Sequence, residues 1–427
     1  MSSDSRFVIH ETRDDPNLTR RIATATGADP ATVVAQAAGL NGRLRSLLGY
    51  QSDPISISAS GTWRVDGVAG MLRLNPQVQI EVVPKFLDPD LPGWRADFFL
   101  MAVLVRTGHL LVGDEMQAGI AARGDLATLV ARTLLRMHWE QHRRPIRGYQ
   151  RVTRHDFSID GDVELDTISM PEPDGFRMQR HELTSRNSYN AVLRAAAHTL
   201  ISEVGDGDTR VQLQRLVRQI GAQSTPPRTA APLPARHRGW QPAYSLSQLV
   251  LEGAGLDLDG GDFTGPGFVL STWSAWQSLC EVVLRRALPG RRVLPQHGFK
   301  LGTRPTTDVI VRPDISVLAS PRHAELLLDA KYKARRGRKL AISSADVYES
   351  LAFLRAASCP RMLLLYPALA SVDEMPLGSW RLFDQVTVGR ATIEGMELQV
   401  RGLARTGGFE ELVSGVRSQV GAAIQDC

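Results

Sequence analysis

Arg312-Pro-Asp-Ile-Ser-Val-Leu318, a short turn, and Glu325-Leu-Leu-Leu-Asp-Ala-Lys-Tyr-Lys333 are the stretch on which the reading of the whole chain turns. Two apolar runs flank residues 320–323. Taken as a β-hairpin with that four-residue loop, residue 319 pairs with 324, and Asp314 falls directly opposite Asp329. Side chains alternate across a strand. Ile315, Val317, Leu326, Leu328 and Ala330 therefore share one face, apolar and suited to a core. Asp314, Ser316, Asp329 and Lys331 share the other.

Facing residues in an antiparallel pair have Cβ atoms about 4.5–5.5 Å apart, so two opposed carboxylates repel. A shared proton, a divalent cation or an ammonium must offset this, and Lys331 supplies an ammonium on the same face. Two carboxylates and a lysine on a strand pair are the parts of a Mg²⁺-dependent phosphodiester hydrolysis site. Mg²⁺ favours carboxylate oxygens and water. It neutralises phosphate and lowers the pKa of a bound water. The lysine can position that water or stabilise the charge that builds on the phosphoryl oxygens. The blander reading is a turn-capping Asp314 and a solvated Asp329–Lys331 pair. The very apolar segments that frame the polar face weigh toward function.

Around this hairpin the pattern reads as helices over 245–253 and 268–288, strands near 292–297, 309–319 and 324–332, a helix over 343–357, a strand over 361–367, strands within 380–398 and a helix over 408–425. Mixed strands flanked by helices predict an α/β domain. Upstream, helices are expected over 17–26 and 30–48. A period of two then predicts an antiparallel meander that ends at Val83-Pro84-Lys85-Phe86. Helical spacing returns over 94–107 and 126–143. A β segment is expected over 148–167 with a turn at Gly161-Asp162, then helices over 187–204 and 209–220. Residues 222–238, with Ser224-Thr-Pro-Pro227, read as a linker. The expected fold class is α/β (α+β) in three parts: a β-rich region over 1–90, a mostly helical middle over 91–240 and a mixed-sheet domain over 241–427.

The 427 residues are 43% hydrophobic and 22% charged, as in ordinary globular proteins. No apolar run approaches the roughly 20 residues of a membrane span. Met1-Ser-Ser-Asp-Ser-Arg6 shows no apolar signal segment. Cys280, Cys359 and Cys427 fit neither a disulfide framework nor a zinc site, so a reduced, cytoplasmic protein is expected. A net charge of +5 permits nucleic-acid binding without requiring it. Lysine occurs only at 85, 300, 331, 333 and 339, and the other 45 basic residues are arginine. None of these lysines follows a glycine, so the chain has no Walker A loop and is not itself a P-loop NTPase.

Pro313-Asp314, then Asp329-Ala330-Lys331, resembles the PD-(D/E)xK nuclease motif. More narrowly, the two halves of the hairpin resemble McrC, the nuclease component of McrBC modification-dependent restriction systems. Gly67-Val-Ala-Gly-Met-Leu-Arg73 followed by Ile80-Glu-Val-Val-Pro-Lys-Phe86 is similar to that family's N-terminal pattern, and Arg186-Asn-Ser-Tyr-Asn-Ala-Val-Leu-Arg194 to its mid-chain helix start. Tyr244-Ser-Leu-Ser-Gln-Leu-Val250 and the helix through Leu279-Cys-Glu281 stand where the family has them.

The resemblance implies a PD-(D/E)xK endonuclease subunit that cuts modified or foreign double-stranded DNA with Mg²⁺. Asp314, Asp329 and Glu281 would be metal ligands, and these three with Lys331 the catalytic set. Glu281 could equally pair with Arg285 four residues on. The resemblance further implies docking on a hexameric McrB-type AAA+ GTPase or ATPase, with Lys85 a docking candidate, and pairing of complexes through the nuclease domain is a further expectation. Glu349 and Phe353 stand where the family has Gln and Tyr, which opens the alternative of an inactive adaptor that only stimulates the motor; a stand-alone repair nuclease sharing the motif is a further alternative. Lys333, Arg335, Arg336, Arg338 and Lys339 continue directly from Lys331 and are expected to meet the DNA backbone.

Overall fold

Strand Ile315–Ser320 pairs antiparallel with His323–Ala330, with Ile315 opposite Leu328 and Val317 opposite Leu326. Near the loop the register slips: Leu318, not residue 319, faces Ala324, and Ser320 faces His323. The slip is absorbed before Val317, so the expected pairing holds at the end that matters. The computed structural model describes residues 5–75, 77–87, 93–107, 126–170, 172–223, 226, 231–254, 269–320, 323–332, 341–369, 375–405 and 407–425.

The hairpin belongs to a six-stranded mixed sheet in the order Arg292–Pro295, Ile315–Ser320, His323–Ala330, Arg361–Pro367, Ala391–Leu398 and Trp380–Val388. Its three middle strands run parallel. Parallel strands need crossovers, and helix Ser344–Ala357 lies within one of them. The helix starts where Ser343 Oγ accepts from the Asp346 backbone N–H, 3.2 Å away. Phe353 and Leu354 of this helix pack with Leu318, Leu327, Met362 and Leu364 of the sheet. Helices Thr272–Ala287 and Gly408–Gln425 also pack on strand His323–Ala330. Both faces of the hairpin are therefore covered. Ser316, expected on a polar face, is fully buried, and so is its partner Leu327.

A second sheet has the order Ser5–His10, Val78–Val83, Val68–Asn75, Val269–Ser271. The expected antiparallel meander is only part of it. Ser5–His10 runs parallel to Val78–Val83, with helices Leu18–Thr26 and Pro30–Leu48 in the crossover. Val269–Ser271, expected as the start of a helix, is a short strand on the far edge, and the helix begins at Thr272. The apolar stripe Val33, Ala37, Leu40 and Leu44 packs with Ile22, Leu72, Ile80 and Trp63. The buried Trp63 indole N–H donates to Thr19 Oγ1 at 2.7 Å. On helix Thr272–Ala287, Trp273 is half exposed, whereas Trp276 is fully buried.

Both sheets lie in one compact unit, residues Met1–Leu126 with Pro266–Cys427, and Ala127–Gly265 form the other. This division cuts the chain at other places than the expected 1–90, 91–240 and 241–427. The second unit holds helices Ser188–Glu203, Gly207–Ile220 and Gln241–Ala254 and a three-stranded sheet. Within that sheet, strand Phe176–Thr184 pairs along the whole of Gly148–Asp156. No described helix is long and apolar enough to cross a membrane.

Candidate active site

Pro313 cannot donate to a ladder and ends the expected 309–319 strand early. Two strands result, Asp308–Val311 and Ile315–Ser320, with Asp314 at the break. Asp314 sits one step beyond the Ile315–Leu328 pair and so faces Asp329. Its carboxylate accepts from the Ala330 backbone N–H at 2.9 Å and from Gln296 Nε2 at 2.7 Å. Gln296 is itself held by its N–H to Asp314 O at 2.9 Å, in a left-handed conformation with φ +47°. Burial, and then the Asp329 charge, pushes the Asp314 pKa up to about 7.

Lys331 joins these carboxylates on the same side of the sheet. Its Nζ pairs with Asp329, lies 2.8 Å from Glu349 Oε2 and 3.4 Å from Asp346 Oδ1. Burial pulls the Lys331 pKa down, but Asp329 and then Glu349 outweigh it, so the ammonium stays firmly charged. Asp346 is 2% exposed and accepts from Ser343 Oγ at 2.6 Å. Ser343-x-x-Asp346 before an apolar run is a capping-box signature that marks the helix start, but nothing local signals that Asp346 reaches Lys331. Gln296, which sequence reasoning missed, had no signal beyond its position in a polar turn.

Three carboxylates, Asp329, Asp346 and Glu349, thus pair with one ammonium, and its charge also acts on a fourth, Asp314. Fully ionised, the cluster carries surplus negative charge in a partly desolvated site. Hard oxygen donors with surplus charge are the donor set that fits Mg²⁺.

Glu281 follows Cys280 on helix Thr272–Ala287, and the buried Cys280 thiol is pushed up first by burial and then by the Asp314 charge. The Glu281 carboxylate itself pairs with Arg285 Nη1 at 2.8 Å. Among the described residues, the three carboxylates of Glu281, Asp314 and Asp329 do not all come within 4.8 Å of one another; the exposed trio His155, Glu172 and Asp174 does. Lys85 lies with its Nζ 3.6 Å from the centroid of the Tyr332 ring. Phe353 is part of the core under the sheet. Lys333, Arg335, Arg336, Arg338 and Lys339 lie outside the described residues.

A family model described as "McrBC 5-methylcytosine restriction system component" matches residues 63–367. No curated protein matches the chain. Among solved structures, a chain from the refined half-complex of the tetradecameric assembly of Thermococcus gammatolerans McrB AAA+ hexamers with bound McrC is similar. It shares 17% identity with a TM-score of 0.70, over 98% of this chain and 100% of that one. A chain from the cryo-EM structure of the Thermococcus gammatolerans McrBC complex matches at 17% identity and a TM-score of 0.50, over 67% of this chain and 89% of that one. At that identity the likeness speaks for a shared fold, whereas the family model, which spans well over half of the chain, places it: the protein belongs to the McrBC 5-methylcytosine restriction system component family.

Proposed function

We propose that the protein is the DNA-cutting subunit of a McrBC-type restriction system, working with a McrB-like AAA+ hexamer to cleave modified or foreign double-stranded DNA. The observation that carries this reading is the Asp314–Asp329–Lys331 cluster, packed into a buried hairpin of a family member. Asp314 and Asp329 would hold Mg²⁺, with Glu281 contributing from the neighbouring helix. Bound there, the ion supplies charge neutralisation at the phosphate and a more acidic water. Gln296 and the Ala330 N–H fix the orientation of Asp314. Lys331 places a permanent positive charge beside the phosphoryl oxygens as charge develops on them. The basic residues 333–339 track the DNA backbone. The missing Walker A loop assigns nucleotide hydrolysis to the partner.

One observation favours a second reading, an adaptor that stimulates the motor without cutting: the Glu349 carboxylate occupies one side of the Lys331 ammonium. The two are separated by incubating the purified chain and its AAA+ partner with methylated plasmid, nucleotide and Mg²⁺. Linear product that needs both proteins and disappears with EDTA supports the nuclease. Stimulated nucleotide hydrolysis with intact plasmid supports the adaptor.

A further inference from the structure

The Glu11 side chain is almost completely buried, 1% exposed, at the end of strand Ser5–His10. A carboxylate has about four acceptor sites, and here four donors fill them. Gly67 N–H (3.0 Å) and Thr272 Oγ1 (2.8 Å) donate to one oxygen. Lys85 N–H (3.2 Å) and Tyr332 Oη (2.5 Å) donate to the other. Tyr332 directly follows Lys331.

The Tyr332 ring is held on two further sides. Lys85 Nζ stands 3.6 Å from its centroid, and Phe86 meets it edge-on at 5.9 Å and 90°. Phe86 packs against Trp276, with centroids 6.2 Å apart. The Trp276 indole N–H donates to Leu365 O at 3.0 Å. The same carbonyl accepts from the Lys331 backbone N–H at 2.9 Å. The path from Tyr332 through Phe86, Trp276 and Leu365 closes on Lys331. Its backbone is therefore clamped by Leu365 on one side and by the anchored Tyr332 on the other. A buried carboxylate with four matched donors and a cation stacked on a tyrosine is a costly arrangement for a plain core contact. A strand end that must present one ammonium within a fraction of an ångström has use for it.

We propose that Glu11, Lys85 and Tyr332 are positioning residues for Lys331, so that the N-terminal sheet forms part of the nuclease site. The inference rests on the nuclease reading for its catalytic consequence, but not for its geometry, and the test keeps the two apart. The chain has only five lysines. Side-chain NMR of the full chain with isotope-labelled lysine therefore resolves Lys331, assigned by its loss in Lys331→Arg. Glu11→Ala, Lys85→Met and Tyr332→Phe should each shift the Lys331 Nζ signal and speed its proton exchange. Glu11→Gln, which keeps an acceptor, should restore most of the wild-type signal. In the complex with the AAA+ partner, the first three variants should cut DNA roughly 10–100-fold more slowly, the scale of a misplaced catalytic group, with KM for DNA unchanged. A Lys331 signal that stays in place in folded Glu11→Ala and Tyr332→Phe overturns the proposal. If wild type never cuts, the nuclease reading falls, and the lysine signals still decide the positioning role.

Discussion

Lys331 is shared by more carboxylates than one ammonium can neutralise, and the excess sets what single substitutions should do. Asp329 and Asp346 are buried and belong to the fold of the site, whereas Glu349 reaches in from a half-exposed position. Glu349 therefore opposes an incoming phosphate more than it supports the sheet. Glu349→Gln still accepts from Lys331 while removing that charge, and should raise the cleavage rate up to roughly tenfold by easing charge repulsion. Single-turnover cleavage checks this, and a slower variant would mean that the carboxylate takes part in the chemistry. The juxtaposition of Asp314, Asp329 and Lys331 was legible from alternation and register alone, because a period of two leaves few ways to pair two short apolar runs. The extra carboxylates were not, since Asp346 and Glu349 arrive on a helix whose docking is a tertiary event.

Elements with strong local signals were read to within a residue or two: helix Trp94–Thr107, strand Arg361–Pro367 and helix Gly408–Gln425 each carry an uninterrupted pattern. The misses have two separate causes. Ser5–His10 pairs in parallel and has no hairpin turn to announce it. Phe176–Thr184 is largely exposed or half-exposed, so its sequence lacks the apolar alternation of a packed strand. Helix Trp94–Thr107 gives the second testable consequence. Its buried Asp97 accepts from the Gly402 N–H at 2.7 Å and the Ala404 N–H at 2.8 Å, which ties the helix to the loop after the last strand. Burial, against these hydrogen bonds, pushes the Asp97 pKa up to about 6 from 3.8. Between those values the folded state holds a proton that the unfolded state has released. Stability from this group is thus present below about pH 4 and lost as pH rises through about 6. His138, buried and pulled down to about 4 by burial, works in the opposite direction over the same window. The difference between Asp97→Asn and wild type isolates the first effect. The gap in melting temperature between them should be largest near pH 4 and shrink toward pH 7. A constant gap would mean that Asp97 titrates normally.

At the scale of the whole molecule, contacts such as Tyr332 to Glu11, 321 positions apart, carry no local signature and could not be read in advance. They join the N-terminal sheet and the six-stranded sheet within one unit. Charge, in contrast, was legible as composition. DNA affinity of the isolated chain should be largely independent of sequence and fall steeply with salt. Neutralising Arg335, Arg336 and Arg338 together should reduce the slope of log K against log salt by about 2–3. An unchanged slope would mean that these arginines do not meet the DNA backbone. On the proposed function, cutting resides in the Asp314–Asp329–Lys331 cluster, while stimulation of the motor depends on the chain before the 222–238 segment. Neither Asp329→Ala nor Lys331→Ala touches the apolar face of Ile315, Val317, Leu326 and Leu328, so both variants should fold. The direct measurement is plasmid cleavage and nucleotide hydrolysis followed in the same reaction, with the AAA+ partner and Mg²⁺, for wild type and these two variants. Both variants should lose cleavage and keep wild-type stimulation of hydrolysis; either variant cutting at the wild-type rate would overturn the assignment of the cluster as the cutting site.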